Sequence, residues 1–237
     1  MPCSARYSSR HGFLWSVAIA VMVSLWNPQR ALAQETDGDC LDIWVKPEIQ
    51  VEGLIAPPQF DNSKSSDQIA EVARQSGYAR SLNQASLLGL TYAFTGPNIA
   101  VETKFREARN GKRCIRLERV KFSFGARSTD VYVARKYRQG SCAYDAILNH
   151  EMEHVRINER IVREYVPKIE KELAARSAAI RPFYTSDVKR AGQSIGNRLR
   201  FELDPLLDDF NAARLAANDA IDTTQSYTAT YAKCSDW

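Results

Sequence analysis

The chain has 237 residues, of which 44% are hydrophobic and 25% charged, and a formal net charge of +4. Arg6, Arg10 and Arg30 lie in an N-terminal segment that reads as removable, and without them the charge falls to +1. A near-neutral surface gives no reason to invoke nucleic acid, and the remaining length of roughly 200 residues suits one sizeable core.

Residues 1–33 have the build of a secretory signal peptide. Arg6 and Arg10 form a positive start, Gly12 to Trp26 is apolar, and Ala31-Leu32-Ala33 is an A-x-A cleavage site. The apolar run is short for a membrane span, and no later segment is apolar enough for one. The expectation is a periplasmic or secreted protein cut near Ala33, with residues 34–237 forming a single domain. Cys3 leaves with the signal, and Cys40, Cys114, Cys142 and Cys234 remain. An even count in an exported chain points to two disulfides, with the end cysteines expected to pair together and Cys114 with Cys142.

Residues 40–137 read as strand-rich. Ile43, Val45, Ile49 and Val51 alternate in an early strand interrupted at Pro47, and a Pro- and Ser-rich loop follows. Asp67 to Gln75 reads as a short helix capped by Ser65 or Ser66 and closed by Gly77. Strands are expected over Leu88–Phe94 and Ile99–Phe105, joined by a turn at Thr95–Asn98. Asn110-Gly111 is a hairpin signal leading into Lys112–Phe124. Gly125 to Ser128 should turn the chain into Val131–Val133.

Residues 141–222 read as helical. Gly140-Ser141 caps a helix that carries His150-Glu151-Met152-Glu153-His154. Pro167 should kink or end it near Val166, with a further piece over Glu170–Ala178. Arg181-Pro182 interrupts, and Thr185-Ser186-Asp187 starts a second long helix. Its inward stripe is Val188, Ile195, Leu199, Leu206, Phe210, Ala213 and Ala217, with a possible bend at Pro205. Ile221 to Thr224 ends it, and residues 223–237 read as a polar tail.

On a helix, residues four apart project the same way, so His150 and His154 can grip one tetrahedral cation, usually Zn2+. Glu151 beside them can take a proton from water. A histidine on an apolar face is also commonly a hydrogen-bonded core residue. Here the two motif histidines are the only ones left after the signal. A third ligand must then be a carboxylate or a tyrosine. Helical periodicity favours Glu202. Asp219 and Asp222 form an Asp-x-x-Asp pair near the helix end, Glu159 points away from His150 on a straight helix, and Tyr227 lies further on.

A run of strands leading into such a helix is how zincin catalytic domains are built. An edge strand there can pair with an extended peptide, and Val131–Lys136 is the candidate. The chain resembles the domain of unknown function 922 family, predicted secreted bacterial zincin-type peptidases. The likeness lies in Cys114-Ile115-Arg116 with its following strands, in His150 to Glu159, and in Asp222. That family often has Tyr-Asp before a His-Gly pair near its C-terminus. Here Ile221 replaces the tyrosine, and Tyr227 falls about where the histidine would. The resemblance implies Asp222 as third ligand.

The expected class is α+β and zincin-like, with an antiparallel or mixed sheet followed by two long helices. The expected function is an exported zinc metallopeptidase acting on a peptide or protein, with Glu151 as general base and His150, His154 and Asp222 on the metal. The alternative is a non-catalytic envelope binding or assembly protein that keeps the fold. Nothing in the sequence sets the substrate or the oligomeric state.

Overall fold

A computed structural model describes residues 38–76, 87–108, 111–235 and 237. The readings of residues 1–33 as a signal, of Gly77 as a helix stop and of Asn110 as a hairpin residue lie outside them. The chain builds α1 (Gly38–Leu41), β1 (Glu48–Ile55), β2 (Pro58–Asp61), α2 (Ser66–Gln75), β3 (Gly89–Thr95) and β4 (Asn98–Glu107). It continues as β5 (Arg113–Val133), α3 (Cys142–Ala178), β6 (Phe183–Thr185), α4 (Val188–Asp219) and α5 (Thr224–Tyr231).

Everything in the sheet pairs with β5, a strand of 21 residues. Along one edge lie β6, antiparallel, then β1 and β2, both parallel; along the other lie β4 and β3, both antiparallel. The class is therefore α+β with a mixed six-stranded sheet. The apolar residues of β5 change phase twice. Ile115 and Leu117 are buried, then Val120, Phe122 and Phe124, then Val131 and Val133. Each change of phase coincides with a shift in register, one at Glu102/Thr103 of β4 and one at Phe94/Thr95 of β3. An extra residue in a strand rotates all later side chains to the other face, so these bulges keep the apolar side toward the helices.

The turn expected at Gly125–Ser128 does not form. Gly125 has φ 108°, and a Cβ there would stand 2.4 Å from the Leu54 carbonyl oxygen. Glycine and the bulge bend the strand past β1 without reversing it. Consequently Val131–Val133 is inner strand, paired to β2 on one edge and β3 on the other. It cannot serve as the substrate-pairing edge. Lys136 lies in the turn after it.

α3 and α4 pack antiparallel on one face of the sheet, and Tyr165 meets Phe210 with ring centroids 5.5 Å apart. Neither helix stops at its proline. Pro167 and Pro205 both lie on exposed sides, where the carbonyl left without a donor can bond water. Meanwhile Ile169, Leu173, Leu199 and Leu203 are wholly buried and hold the helices in place. Leu203 and Leu207 are core residues of α4 that the expected stripe omitted. Ser65 caps α2 in a capping box with Gln68, and Ser141 caps α3. Residues 224–231 form a helix, not a polar tail. A second capping box of Thr223 and Ser226 starts α5.

Two disulfides form, and their connectivity differs from expectation: Cys40 pairs with Cys114, and Cys142 with Cys234. The first is buried and ties the N-terminal segment to the start of β5. The second joins the first turn of α3 to the residues just after α5, because the α3–α4 hairpin returns the chain to where α3 began. No helix among the described residues is long and apolar enough to cross a membrane.

Candidate metal centre

Ser141 accepts a hydrogen bond from the Tyr144 amide, and Gly140 at φ 80° turns the chain into α3. Two turns later, four-residue spacing sets the rings of His150 and His154 with centroids 5.0 Å apart. Because α4 runs back along α3, its C-terminal end arrives beside these turns. Asp222, three residues past α4, places Oδ1 3.1 Å from His150 Nε2 and 3.2 Å from His154 Nε2. Tyr227 from α5 donates its hydroxyl to the same oxygen at 3.1 Å. Among the described residues, His150, His154 and Asp222 are the group of acidic, histidine or cysteine side chains that could hold a metal ion.

The proton count tests whether a cation fits. Asn218 Nδ2 donates to the Arg214 carbonyl at 2.7 Å and to Asn158 Oδ1 at 3.1 Å. Its Oδ1 therefore faces His154 Nδ1, 2.8 Å away, and that nitrogen carries the hydrogen. In a neutral ring the lone pair of Nε2 then points at the Asp222 carboxylate. Two acceptors that close need a proton or a cation between them. Bonds of 2.0–2.1 Å at tetrahedral angles put zinc ligands about 3.3 Å apart, close to the two separations of the histidines from Asp222, and all three atoms lie within 4.8 Å of one another. Two imidazoles and one carboxylate also match the donor set of catalytic zinc sites and leave a fourth position open.

The electrostatics agree. Burial opposes charge on His154, but the hydrogen bond to Asp222, with the carboxylates of Glu151 and Asp222 and the Asn218 oxygen, outweighs it and the imidazolium is held to about 9. Burial likewise works to raise Asp222, yet hydrogen bonds from His150 and His154 hold its carboxyl well below the usual carboxylate range. Burial, reinforced by Asp222, pushes the Tyr227 phenol up.

Glu151 lies on the flank of α3 against β3 and is 5% exposed. The Thr91 hydroxyl stands 2.9 Å from both the Glu151 carbonyl oxygen and its Oε2. At Gly89 an added Cβ would sit 2.7 Å from Glu151 Oε1, so the absent side chain is what makes room for the carboxylate. Burial raises this carboxyl, opposed by the neighbouring His154 and His150. β3, not Val131–Lys136, is the strand beside the motif. Among the described residues it pairs with β5 alone.

The other candidates for third ligand lie elsewhere. Glu202 takes a hydrogen bond from Arg198 at 2.8 Å along α4, and Glu159 one from Arg163 at 3.1 Å along α3. Asp219 is the exposed last residue of α4. Tyr227 reaches the site through Asp222. Sequence reasoning missed Gly89, Thr91, Asn158 and Asn218. Two of these left a signal: Asn158 continues the His150, His154 spacing, and Asn218 lies one helical turn before Asp222.

No protein-family model, curated protein or solved structure matches the chain.

Proposed function

We propose that this protein is an exported zinc-dependent metallopeptidase. The observation that carries the reading is the convergence of His150 Nε2 and His154 Nε2 on one Asp222 oxygen, with Glu151 buried beside them. His150, His154 and Asp222 would hold the ion. A zinc ion bound there supplies Lewis-acid chemistry, acidifying water and polarising a carbonyl.

The chain's own groups do the rest. Asn218 holds His154 in the tautomer that directs Nε2 at the site. Glu151, its proton affinity raised by burial, takes a proton from water and hands it to the leaving amine. Thr91 orients that carboxylate, and Gly89 leaves it space. Tyr227 has a hydroxyl at the edge of the cluster that can turn from Asp222 to a developing oxyanion. The two disulfides are compatible with an oxidising compartment, and Cys142–Cys234 braces the segment that carries Asp222 and Tyr227.

The test is metal analysis of purified protein with peptide cleavage assays on wild type and Glu151→Gln. Zinc near a 1:1 ratio in both, with cleavage in the wild type alone, supports the reading. Zinc without cleavage in either indicates a binding or assembly module, and no zinc in either removes the proposal.

A further inference from the structure

The two disulfides differ in access. Cys40 and Cys114 are each 1% exposed and sit within the core. Cys142 is exposed in the first turn of α3, and its partner Cys234 is half-buried. Thiol–disulfide exchange requires a thiolate to reach one of the two sulfurs, so a dithiol reductant meets Cys142–Cys234 first.

What this bond holds is the segment after α4. Thr230 is the buried residue of α5, so apolar packing adds little to the docking of that helix. A helix of eight residues is also too short to persist unsupported in water. Its described ties to the body run through two aromatic rings. The Tyr227 hydroxyl bonds Asp222 and its ring lies 5.4 Å from that of His150, while the Trp237 ring lies 5.9 Å from Tyr137. Trp237 and Tyr231, 4.5 Å apart, are 39% and 43% exposed. Tyr227 therefore keeps its place at the metal centre between the core-anchored α4 on one side and a solvent-accessible crosslink on the other.

We propose that Cys142–Cys234 is a redox switch on the metal centre, an inference that rests on the metallopeptidase reading and names a regulation of that site. With the bond closed, α5 stays docked and Tyr227 supports Asp222; when a dithiol opens it, α5 leaves and the ion is held more weakly. One thiolate of the dithiol attacks Cys142 Sγ, the S–S bond breaks, and Cys234 Sγ departs with the electron pair and takes a proton. The reductant's second thiolate then attacks its own sulfur in the mixed disulfide. That frees Cys142, which takes the second proton, and closes the reductant's disulfide, so two electrons pass from the dithiol to the protein.

The test compares oxidised protein with metal-free protein treated with dithiothreitol, its freed thiols capped by iodoacetamide and the reagents removed. Mass spectrometry should find caps on Cys142 and Cys234 with Cys40–Cys114 intact. Amide hydrogen exchange over residues 224–231 should quicken about tenfold or more, while Ile169 and Leu173 in α3 keep their protection. Zinc affinity, measured by competition with a chelator, should fall about 10- to 100-fold, as expected when a group bonded to a ligand is lost. The uncapped double variant Cys142→Ser, Cys234→Ser should show the weakened state without reductant and ignore dithiothreitol, which excludes an effect of the caps. Should that variant not fold, wild type reduced and then reoxidised without capping takes its place, and it must regain full affinity. Caps on Cys40 and Cys114 as early as on the other pair, unchanged exchange in α5, or a weakening that reoxidation does not reverse overturns the proposal. Equal zinc affinity in the two redox states overturns this inference alone, whereas an oxidised protein that binds no zinc overturns the peptidase reading and this inference with it.

Discussion

The first turns of α3 and its later turns both turn a buried side to the rest of the molecule, but the first set charged and polar groups among buried apolar residues such as Ala146, Ile147 and Val155. Early on that side carries Glu151 and His154, with His150 and Asn158 half-buried; later it carries Ile161, Tyr165, Ile169 and Leu173. The later turns pack on the sheet and α4, where apolar surfaces need only fill space. The early turns meet β3 and the segment after α4, where each polar atom needs its own partner. The later half thus supplies rigidity, and the early half uses it to hold polar groups a packed core would reject.

The contrast makes mutations in the two halves separable. The largest effect expected is from Glu151→Gln: cleavage should fall on the order of 10²–10⁴-fold. Zinc content and melting temperature should stay level, since one buried carboxylate has been exchanged for an amide of the same shape. Leu173→Ala should do the reverse, costing about 2–5 kcal/mol in urea unfolding while the folded protein keeps its zinc affinity. Loss of metal without loss of stability in that variant would break the division drawn here.

Smaller changes probe the walls of the early half. Gly89→Ala introduces a Cβ where Glu151 Oε1 stands, and moving that carboxylate should lower kcat about a hundredfold with zinc retained. Unchanged kcat would mean that Glu151 is not held by β3 during the reaction. Asn218→Ala removes the acceptor from His154 Nδ1 and should weaken zinc binding about 10- to 100-fold in competition with a chelator.

The mildest test is pH. In metal-free protein His154 titrates at about 9, against an ordinary 6.5. The folded state binds this proton more tightly, so its stabilisation is complete below pH 6.5 and is lost as pH rises through 9. A metal must displace the same proton. Calorimetry at pH 7 in buffers of different ionisation enthalpy should therefore show about one proton released per ion, and affinity should rise with pH up to 9. No proton release would mean that His154 is not a ligand.

Local rules read from the sequence were sound where the cause was local. Ser65 and Ser141 cap helices because a hydroxyl one step before a helix satisfies amides that no carbonyl reaches. Reasoning failed where a distant partner decided. Pro167 looked like a stop, but buried Ile169 and Leu173 carry the helix through it. Gly125 looked like a turn, but β1 lies against it and keeps the strand straight enough to continue. Glu202 had the right periodicity for an inward position and yet pairs with Arg198 along its own helix.

By itself, then, the sequence determined the facing pair His150 and His154 with Glu151 next to them, because four-residue spacing on a helix is a property of the backbone. Asp222 was expected only through the resemblance, and tertiary structure is what sets it against the two histidines, walls Glu151 with β3 and bonds Cys142 to Cys234. Those residues are 60 to 92 apart in sequence, and only the antiparallel return of α4 along α3 and the packing of the sheet bring them together.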